Sequence, residues 1–205
     1  MNQPIGIFDS GLGGISIANE INHLLPNENI VYLADSANAP YGNKSKKQIV
    51  ALAHKNTKIL LSKFNAKLIV VACNTATTNA ISELRNSYPV PFIGIEPAIK
   101  PAALKTIGVL ATKGTLASKL FTETTKKFIS NEIELIQVEG KGIVEAIEEN
   151  KHLNEDFILY LHEQLKPFKT KNIDSLVLGC THYPFIKKSI QQYLPNTHII
   201  DSGFA

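Results

Sequence analysis

Two cysteines, Cys73 and Cys180, carry the strongest chemical signal in this chain of 205 residues. Each closes a short apolar run and opens a polar one, in Leu68-Ile-Val-Val-Ala-Cys-Asn-Thr75 and Ser175-Leu-Val-Leu-Gly-Cys-Thr-His182. A thiol at a helix N-terminus is pushed toward thiolate by the unpaired backbone N–H groups there, so both are expected to be acidified. One buried cysteine is most often an inert small hydrophobe. Two in matching settings, each followed by hydroxyl, amide or imidazole groups, point to function. His182 stands close enough in sequence to serve Cys180 or a ligand. A third segment, Asp9-Ser-Gly-Leu-Gly-Gly14, follows another apolar run and precedes a helical pattern. Its glycines fit neither the Walker loop nor G-x-G-x-x-G. They allow a turn with positive φ or a close backbone approach. Asp9, which would repel a phosphate, suggests acid/base work.

Paired thiols have three chemical uses. A redox pair is disfavoured because no C-x-x-C spacing exists. Metal binding is disfavoured because two Cys and one His make an incomplete zinc set. The third use is proton transfer, each thiol serving one face of a single substrate carbon and so inverting it. That chemistry needs one thiolate and one thiol, with Asp9 and His182 as tuning groups, on a near-symmetric scaffold. No pyridoxal, dinucleotide or metal signature is present, and no cofactor is expected.

The elements that must position these groups alternate along the chain. Apolar runs rich in Ile and Val at 5–8, 30–34, 68–72, 91–95, 107–110, 133–138, 175–178 and 198–200 predict strands. Helical patterns fill 15–25, 45–64, 75–86, 115–129, 142–150, 154–166 and 184–193. Continuously apolar strands separated by helices predict an α/β fold with parallel sheets covered on both faces. The two cysteine segments stand 107 residues apart, and Ile5-Gly-Ile-Phe-Asp-Ser resembles Ile107-Gly-Val-Leu-Ala-Thr at an offset of 102. This weak repeat predicts two pseudo-symmetric α/β halves, 1–96 and 97–205, joined near Glu96 where Pro97 and Pro101 punctuate the chain. Ligands of open parallel sheets bind at the carboxyl ends of the strands, which places the site in the cleft between the halves.

Composition excludes several classes. Lys+Arg 21 against Asp+Glu 18 leaves +3, too slight a surplus for a nucleic-acid or anionic-membrane partner. With 44% apolar and 19% charged residues the chain is of ordinary globular type. No apolar run approaches the roughly 20 residues that cross a bilayer, and no basic leader precedes Asp9. A cytoplasmic location with reduced thiols is expected. The basic stretches Lys44-Ser-Lys-Lys47 and Lys187-Lys188 read as solvated helix faces.

The chain resembles the glutamate racemases of the aspartate/glutamate racemase superfamily. The motifs that carry the resemblance are Gly6-Ile-Phe-Asp-Ser-Gly-Leu-Gly-Gly14, Ala34-Asp35 with Pro40-Tyr-Gly42, Ala72-Cys-Asn-Thr-Ala-Thr77, Gly179-Cys-Thr-His-Tyr-Pro184 and Asp201-Ser-Gly203. They run in family order over nearly the whole chain. The resemblance implies cofactor-independent interconversion of L- and D-glutamate, with D-glutamate supplied to bacterial peptidoglycan. It implies that Cys73 takes the α-proton of D-glutamate and Cys180 that of L-glutamate, assisted by Asp9 and His182 respectively. Glu148, in Ile143-Val-Glu-Ala-Ile-Glu148, matches a carboxylate near His182. Asp9-Ser10, Tyr41-Gly42, Asn74-Thr75 and Thr181-His182 match substrate-binding pairs, and Thr112 and Thr115 a further hydroxyl loop. A homodimer is compatible with the resemblance, though no segment marks an interface.

Two departures stand out. Relatives continue some fifty residues past Asp-Ser-Gly with a returning helix, whereas this chain stops at Ala205. Glu139-Gly-Lys-Gly142 and Glu145 replace a common Cys-Pro element and a common proline. The alternatives are a racemase of aspartate or another acidic amino acid, and a truncated, non-catalytic binding module.

Overall fold

A computed structural model describes residues 3–99, 106–130 and 132–203. The first half runs β1 (Ile5–Asp9), α1 (Ile15–Leu24), β2 (Ile30–Ala34), α2 (Lys46–Phe64), β3 (Leu68–Val71), α3 (Asn74–Ser87) and β4 (Phe92–Gly94). The second runs β5 (Thr106–Ala111), α4 (Lys113–Leu116), α5 (Lys119–Phe128), β6 (Glu134–Glu139), α6 (Ile143–Glu148), α7 (Glu155–Thr170), β7 (Ser175–Gly179), α8 (Lys187–Tyr193) and β8 (His198–Asp201). The strands form two parallel four-stranded sheets, ordered β2-β1-β3-β4 and β6-β5-β7-β8. The orders are the same once the second half is renumbered, so β3 and β7 hold equivalent places beside the first strand of each sheet.

Continuous apolar strands follow from this architecture, because both faces of each sheet are covered. On the first sheet Phe8, Ile69 and Val71 pack with Leu60 and Leu84 on one face, while Ile5, Ile7 and Val70 pack with Ile17 on the other. The second sheet likewise divides into a cluster around Phe168, Leu176 and Leu178 and another around Val109, Phe121 and Val177. The expected α/β class with two like halves is what the chain forms. Pro101, expected to punctuate their joint, lies outside the described residues.

Three elements depart from expectation, each for a local reason. The single helix expected over 115–129 is two, α4 and α5. Ser118 breaks it by donating to the Thr115 carbonyl and accepting the Phe121 N–H, which restarts the helix with a new cap. Helix α7 passes through Pro167 to Thr170. The missing N–H costs one ladder bond, and burial of Phe168 beyond it favours continuation. The helix expected from Pro184 is a 3-10 turn, Tyr183–Ile186, followed by α8. Among the described residues no helix is long and apolar enough to cross a membrane.

The strand ends supply the candidate groups. Asp9 is the last residue of β1, Cys73 caps α3 just past β3, and Cys180 directly follows β7.

Candidate active site

The carboxyl edges of the two sheets face one another and are tied by side chains that cross the gap. The Thr181 hydroxyl donates to Asp9 Oδ2 at 3.0 Å. The Leu12 N–H donates to Glu148 Oε1 at 2.6 Å, and Thr75 Oγ1 lies 2.8 Å from Thr112 Oγ1. The glycine loop makes this approach geometrically possible. A Cβ on Gly13 would stand 2.5 Å from His182 Nδ1 and 2.7 Å from the Thr181 backbone carbon. Among the described residues Gly142, at φ 66°, is the one glycine in the left-handed region. Of the two roles open to Gly11, Gly13 and Gly14, positive φ is therefore ruled out and close approach is what the loop requires, to the second half at Gly11 and Gly13 and to Asp9, Tyr32 and Ala72 of its own half at Gly14.

Cys73 is buried, 4% exposed, with its sulfur at the N-cap of α3. The Ala76 N–H donates to it at 3.4 Å, and its thiol donates to Ser10 Oγ at 3.8 Å. Both neighbours favour thiolate, the Ala76 N–H as expected of a helix start and Ser10 by turning its hydroxyl to donate once the thiol proton has left. Burial works against them and is larger, and the charges of Asp9 and Cys180 add to it, so the thiol is pushed up to about 12. The expectation of an acidified Cys73 is corrected accordingly: in a site shielded from bulk solvent, desolvation outweighs the helix N-terminus.

Cys180, 8% exposed, does not sit at an α-helix start, because the 3-10 turn intervenes. Its partner is His182, whose Nδ1 lies 3.8 Å from the sulfur. Nε2 of the same ring is 2.6 Å from Glu148 Oε1, the oxygen that also accepts the Leu12 N–H. Burial pulls the His182 imidazole down. The hydrogen bonds to Cys180 and Glu148, with the charges of Cys180 and Asp9, outweigh it and hold the ring up at about 10. Glu148 is held low, mainly by the His182 hydrogen bond and also by the Leu12 N–H, against an opposing burial effect. The ring is thus an imidazolium that offers an N–H to the Cys180 sulfur. Asp9 is fully buried, and that burial raises its carboxyl, opposed by the charge of His182 and by hydrogen bonds from the Gly11 N–H and Thr181.

The ion pair has a pH signature. The folded pKa of His182 lies above its ordinary 6.5, so its stabilisation is complete below about 6.5 and fades toward about 10. Glu148 lies below its ordinary 4.5, so its contribution is lost in acid. Glu148→Gln should therefore lower the midpoint of unfolding most between about pH 5 and 6.5 and least above pH 10. NMR titration of the ring should show its pKa falling by at least about one unit, since a charged partner becomes neutral. An unchanged ring pKa would remove Glu148 from this role.

The remaining sequence-named residues divide by location. Tyr41 is buried, donating from Oη to Asp35 Oδ2 at 2.5 Å and accepting from Asn56 at 3.0 Å. Its hydroxyl thus belongs to the interior of the first half, and the turn meets the second half through Gly42, where an added Cβ would lie 2.7 Å from Thr112 Cβ. Thr75, Thr112 and Thr115 form one buried hydroxyl cluster across the gap. Asn74 donates to the Ile95 carbonyl, while its Oδ1 is buried without a hydrogen-bond partner among the described residues. Ser10 and Thr181 lie beside Cys73 and Asp9. Sequence reasoning missed Tyr32, whose hydroxyl holds the Gly11 carbonyl at 2.6 Å. It also left Asp35 without the supporting role that its bond to Tyr41 shows. An aromatic residue in a strand and an acid before a turn carry no distinguishing signal.

Two like parallel-sheet halves with titratable side chains on facing strand ends define the class. The chain belongs to the Asp/Glu/Hydantoin racemase family, whose profile matches residues 8–205; racemases are isomerases. Within that family it is 45% identical over 208 residues to the glutamate racemase of Stutzerimonas stutzeri, a match covering 98% of this chain and 78% of that one. The crystal structure of Escherichia coli glutamate racemase in complex with L-glutamate and the activator UDP-MurNAc-Ala is 36% identical, with a TM-score of 0.88, covering 98% of this chain and 79% of that one. That of Francisella tularensis glutamate racemase in complex with D-glutamate is 35% identical, with a TM-score of 0.86, covering 98% and 77%.

Proposed function

We propose that this chain is a glutamate racemase that interconverts L- and D-glutamate by passing the α-proton between Cys73 and Cys180. The observation that carries the reading is the placement of two buried thiols on equivalent strand ends, one linked to Ser10 and felt by Asp9, the other linked to His182. The names of the relatives, and the L- and D-glutamate in their structures, support the substrate.

From D-glutamate, the Cys73 thiolate takes the Cα proton and the C–H pair stays on the substrate as a carbanion. The Cys180 thiol gives its proton to the opposite face, leaving Cys180 as thiolate and L-glutamate as product. The reverse reaction begins from that state. Only the two thiols exchange protons with carbon, so no cofactor takes part. Raising the basicity of Cys73 is useful here: a stronger thiolate base lies closer to the very weak acidity of an amino-acid Cα–H. The imidazolium of His182 stabilises the Cys180 thiolate and returns a proton when needed. Ser10, Gly42, Asn74, Thr75, Thr115 and Thr181 surround the substrate with hydroxyls, amides and backbone N–H groups, fixed dipoles that stabilise a developing carbanion in a shielded site. The halves 1–96 and 97–205 act as the two jaws. The wider reading, D-glutamate for bacterial peptidoglycan made in the cytoplasm, rests on the family resemblance.

The test is solvent exchange. In D2O, either enantiomer of glutamate should lose its Cα–H signal in the proton NMR spectrum while circular dichroism decays to zero; L-aspartate should remain unchanged. No deuterium at Cα of glutamate from either side, or inversion of aspartate alone, overturns the reading. Asp9→Asn sharpens it. Because the equilibrium constant of a racemase is one, kcat/KM must fall equally in both directions, by about 10²-fold for loss of an acid/base partner. The asymmetry appears instead as a larger primary deuterium isotope effect from D-glutamate, where Cys73 abstracts. Equal isotope effects would separate Asp9 from Cys73.

A further inference from the structure

The basic stretch at Lys44–Lys46, which in sequence resembles a solvated helix face, does not face solvent alone. The fold sets Lys44 and Lys46 opposite Lys113 and Lys119 of the second half, across a groove of about 530 Å³. No carboxylate is among its lining residues. Lys44, Lys46 and Lys113 have no ion-pair partner among the described residues, and Lys119 has only an exposed contact with Glu123 at 3.5 Å. Helices α2 and α5, of 19 and 10 residues, both begin on this groove, adding the positive ends of two helix dipoles to four ammonium groups.

From this arrangement we infer that the groove is a binding site for a small polyanion that bridges the two halves. Like charges lining one groove repel, and a ligand carrying two or more negative groups would relieve that repulsion on both walls at once. The volume lies within the roughly 300–1,000 Å³ range of small-molecule sites. Lysine acts as a point charge without the planar fork of arginine, so phosphate and carboxylate groups fit alike. The floor links the groove to the chemistry. A Cβ on Gly114 would stand 3.2 Å from the Gly42 carbonyl oxygen and 2.9 Å from Thr75 Cγ2, so the backbones of the two halves touch there. Asn79 donates to both the Gly114 and Thr75 carbonyls. A bound polyanion holds this seam closed beside the Thr75, Thr112 and Thr115 hydroxyls. The groove shares Gly42 with the proposed substrate site, but its lysines lie outside that site, so anion binding through them is measurable whether or not the racemase reading stands.

The test is calorimetric titration of the whole chain with tripolyphosphate and, separately, with citrate, which distinguishes a phosphate from a carboxylate source. At least one should bind more tightly than about 1 mM at low salt and weaken as NaCl rises. Each of Lys44→Gln, Lys46→Gln, Lys113→Gln and Lys119→Gln should weaken it about two- to fivefold, and the fourfold variant should bind more than about twentyfold more weakly. Lys187→Gln with Lys188→Gln, a basic pair away from the groove, should leave binding unchanged. Equal binding by the fourfold variant, an equal loss in the Lys187/Lys188 variant, or no binding of either anion overturns the proposal. Tighter binding of a single-stranded oligonucleotide than of both small anions also overturns it, since that marks a polyelectrolyte surface.

Discussion

Cys73→Ser and Cys180→Ser are each expected to lower racemisation by about 10³- to 10⁴-fold, the full worth of a positioned acid/base group. A serine hydroxyl in the same place is far too weak an acid to form the oxyanion near neutral pH, so one face of Cα loses its base and its donor together. Folding should survive. At position 73 the sulfur already serves as the N-cap of α3, accepting the Ala76 N–H, and serine is a better cap than cysteine. Loss of activity with an unchanged far-ultraviolet spectrum therefore reports chemistry. The two variants should also differ from each other. Cys73→Ser keeps Cys180 and its imidazolium partner, so slow exchange of the α-hydrogen of L-glutamate with retention of configuration should persist. Cys180→Ser should show the same with D-glutamate. Deuterium in both enantiomers at similar rates, or full racemisation by either variant, would refute the two-thiol mechanism.

The legibility of this molecule in its sequence follows from burial. Strands covered on both faces must be apolar throughout, so runs such as Leu68–Val71 and Ser175–Gly179 stand out, and the residues after them fall at strand ends where ligands bind. Like runs at like offsets made the two halves visible before the sheets were. What stayed hidden depended on neighbours distant in sequence. The thiol of Cys73 looks acidic from its helix start alone, yet burial and Asp9, 64 positions earlier, raise it. Ser118 and Pro167 are each ambiguous in sequence: Ser118 breaks a helix through its own local cap bonds, whereas Pro167 fails to break one because Phe168 beyond it is buried. The anion groove needs Lys44 and Lys113 together, and no local pattern joins them.

Most of the predicted site depends on how tightly the halves close, and Gly13 is where that closure is least forgiving. Gly13→Ala needs no unusual backbone, since its φ lies outside the left-handed region; the added methyl acts through space alone. It would lie 2.5 Å from Thr181 Oγ1 and from His182 Nδ1, and 2.7 Å from a Thr181 backbone atom. A side-chain tip can rotate away, but backbone cannot, so the Thr181–His182 segment must retreat by about 1 Å to reach ordinary contact. That retreat strains the Thr181–Asp9 hydrogen bond and shifts the Cys180–His182 pair together. A displacement of this size in a catalytic group costs about 10²-fold in rate. The contrast is Gly11→Ala, whose methyl has the carboxylate end of Glu148 as its nearest contact. Glu148 can swing aside, giving up its bonds to Leu12 and His182. Gly11→Ala should thus lower the pKa of His182 while Gly13→Ala lowers kcat with a smaller effect on that titration. Measuring both variants by ring NMR and by turnover tests the ranking. Equal turnover in Gly13→Ala and the parent chain would show that the close approach of the halves is not what aligns the thiols.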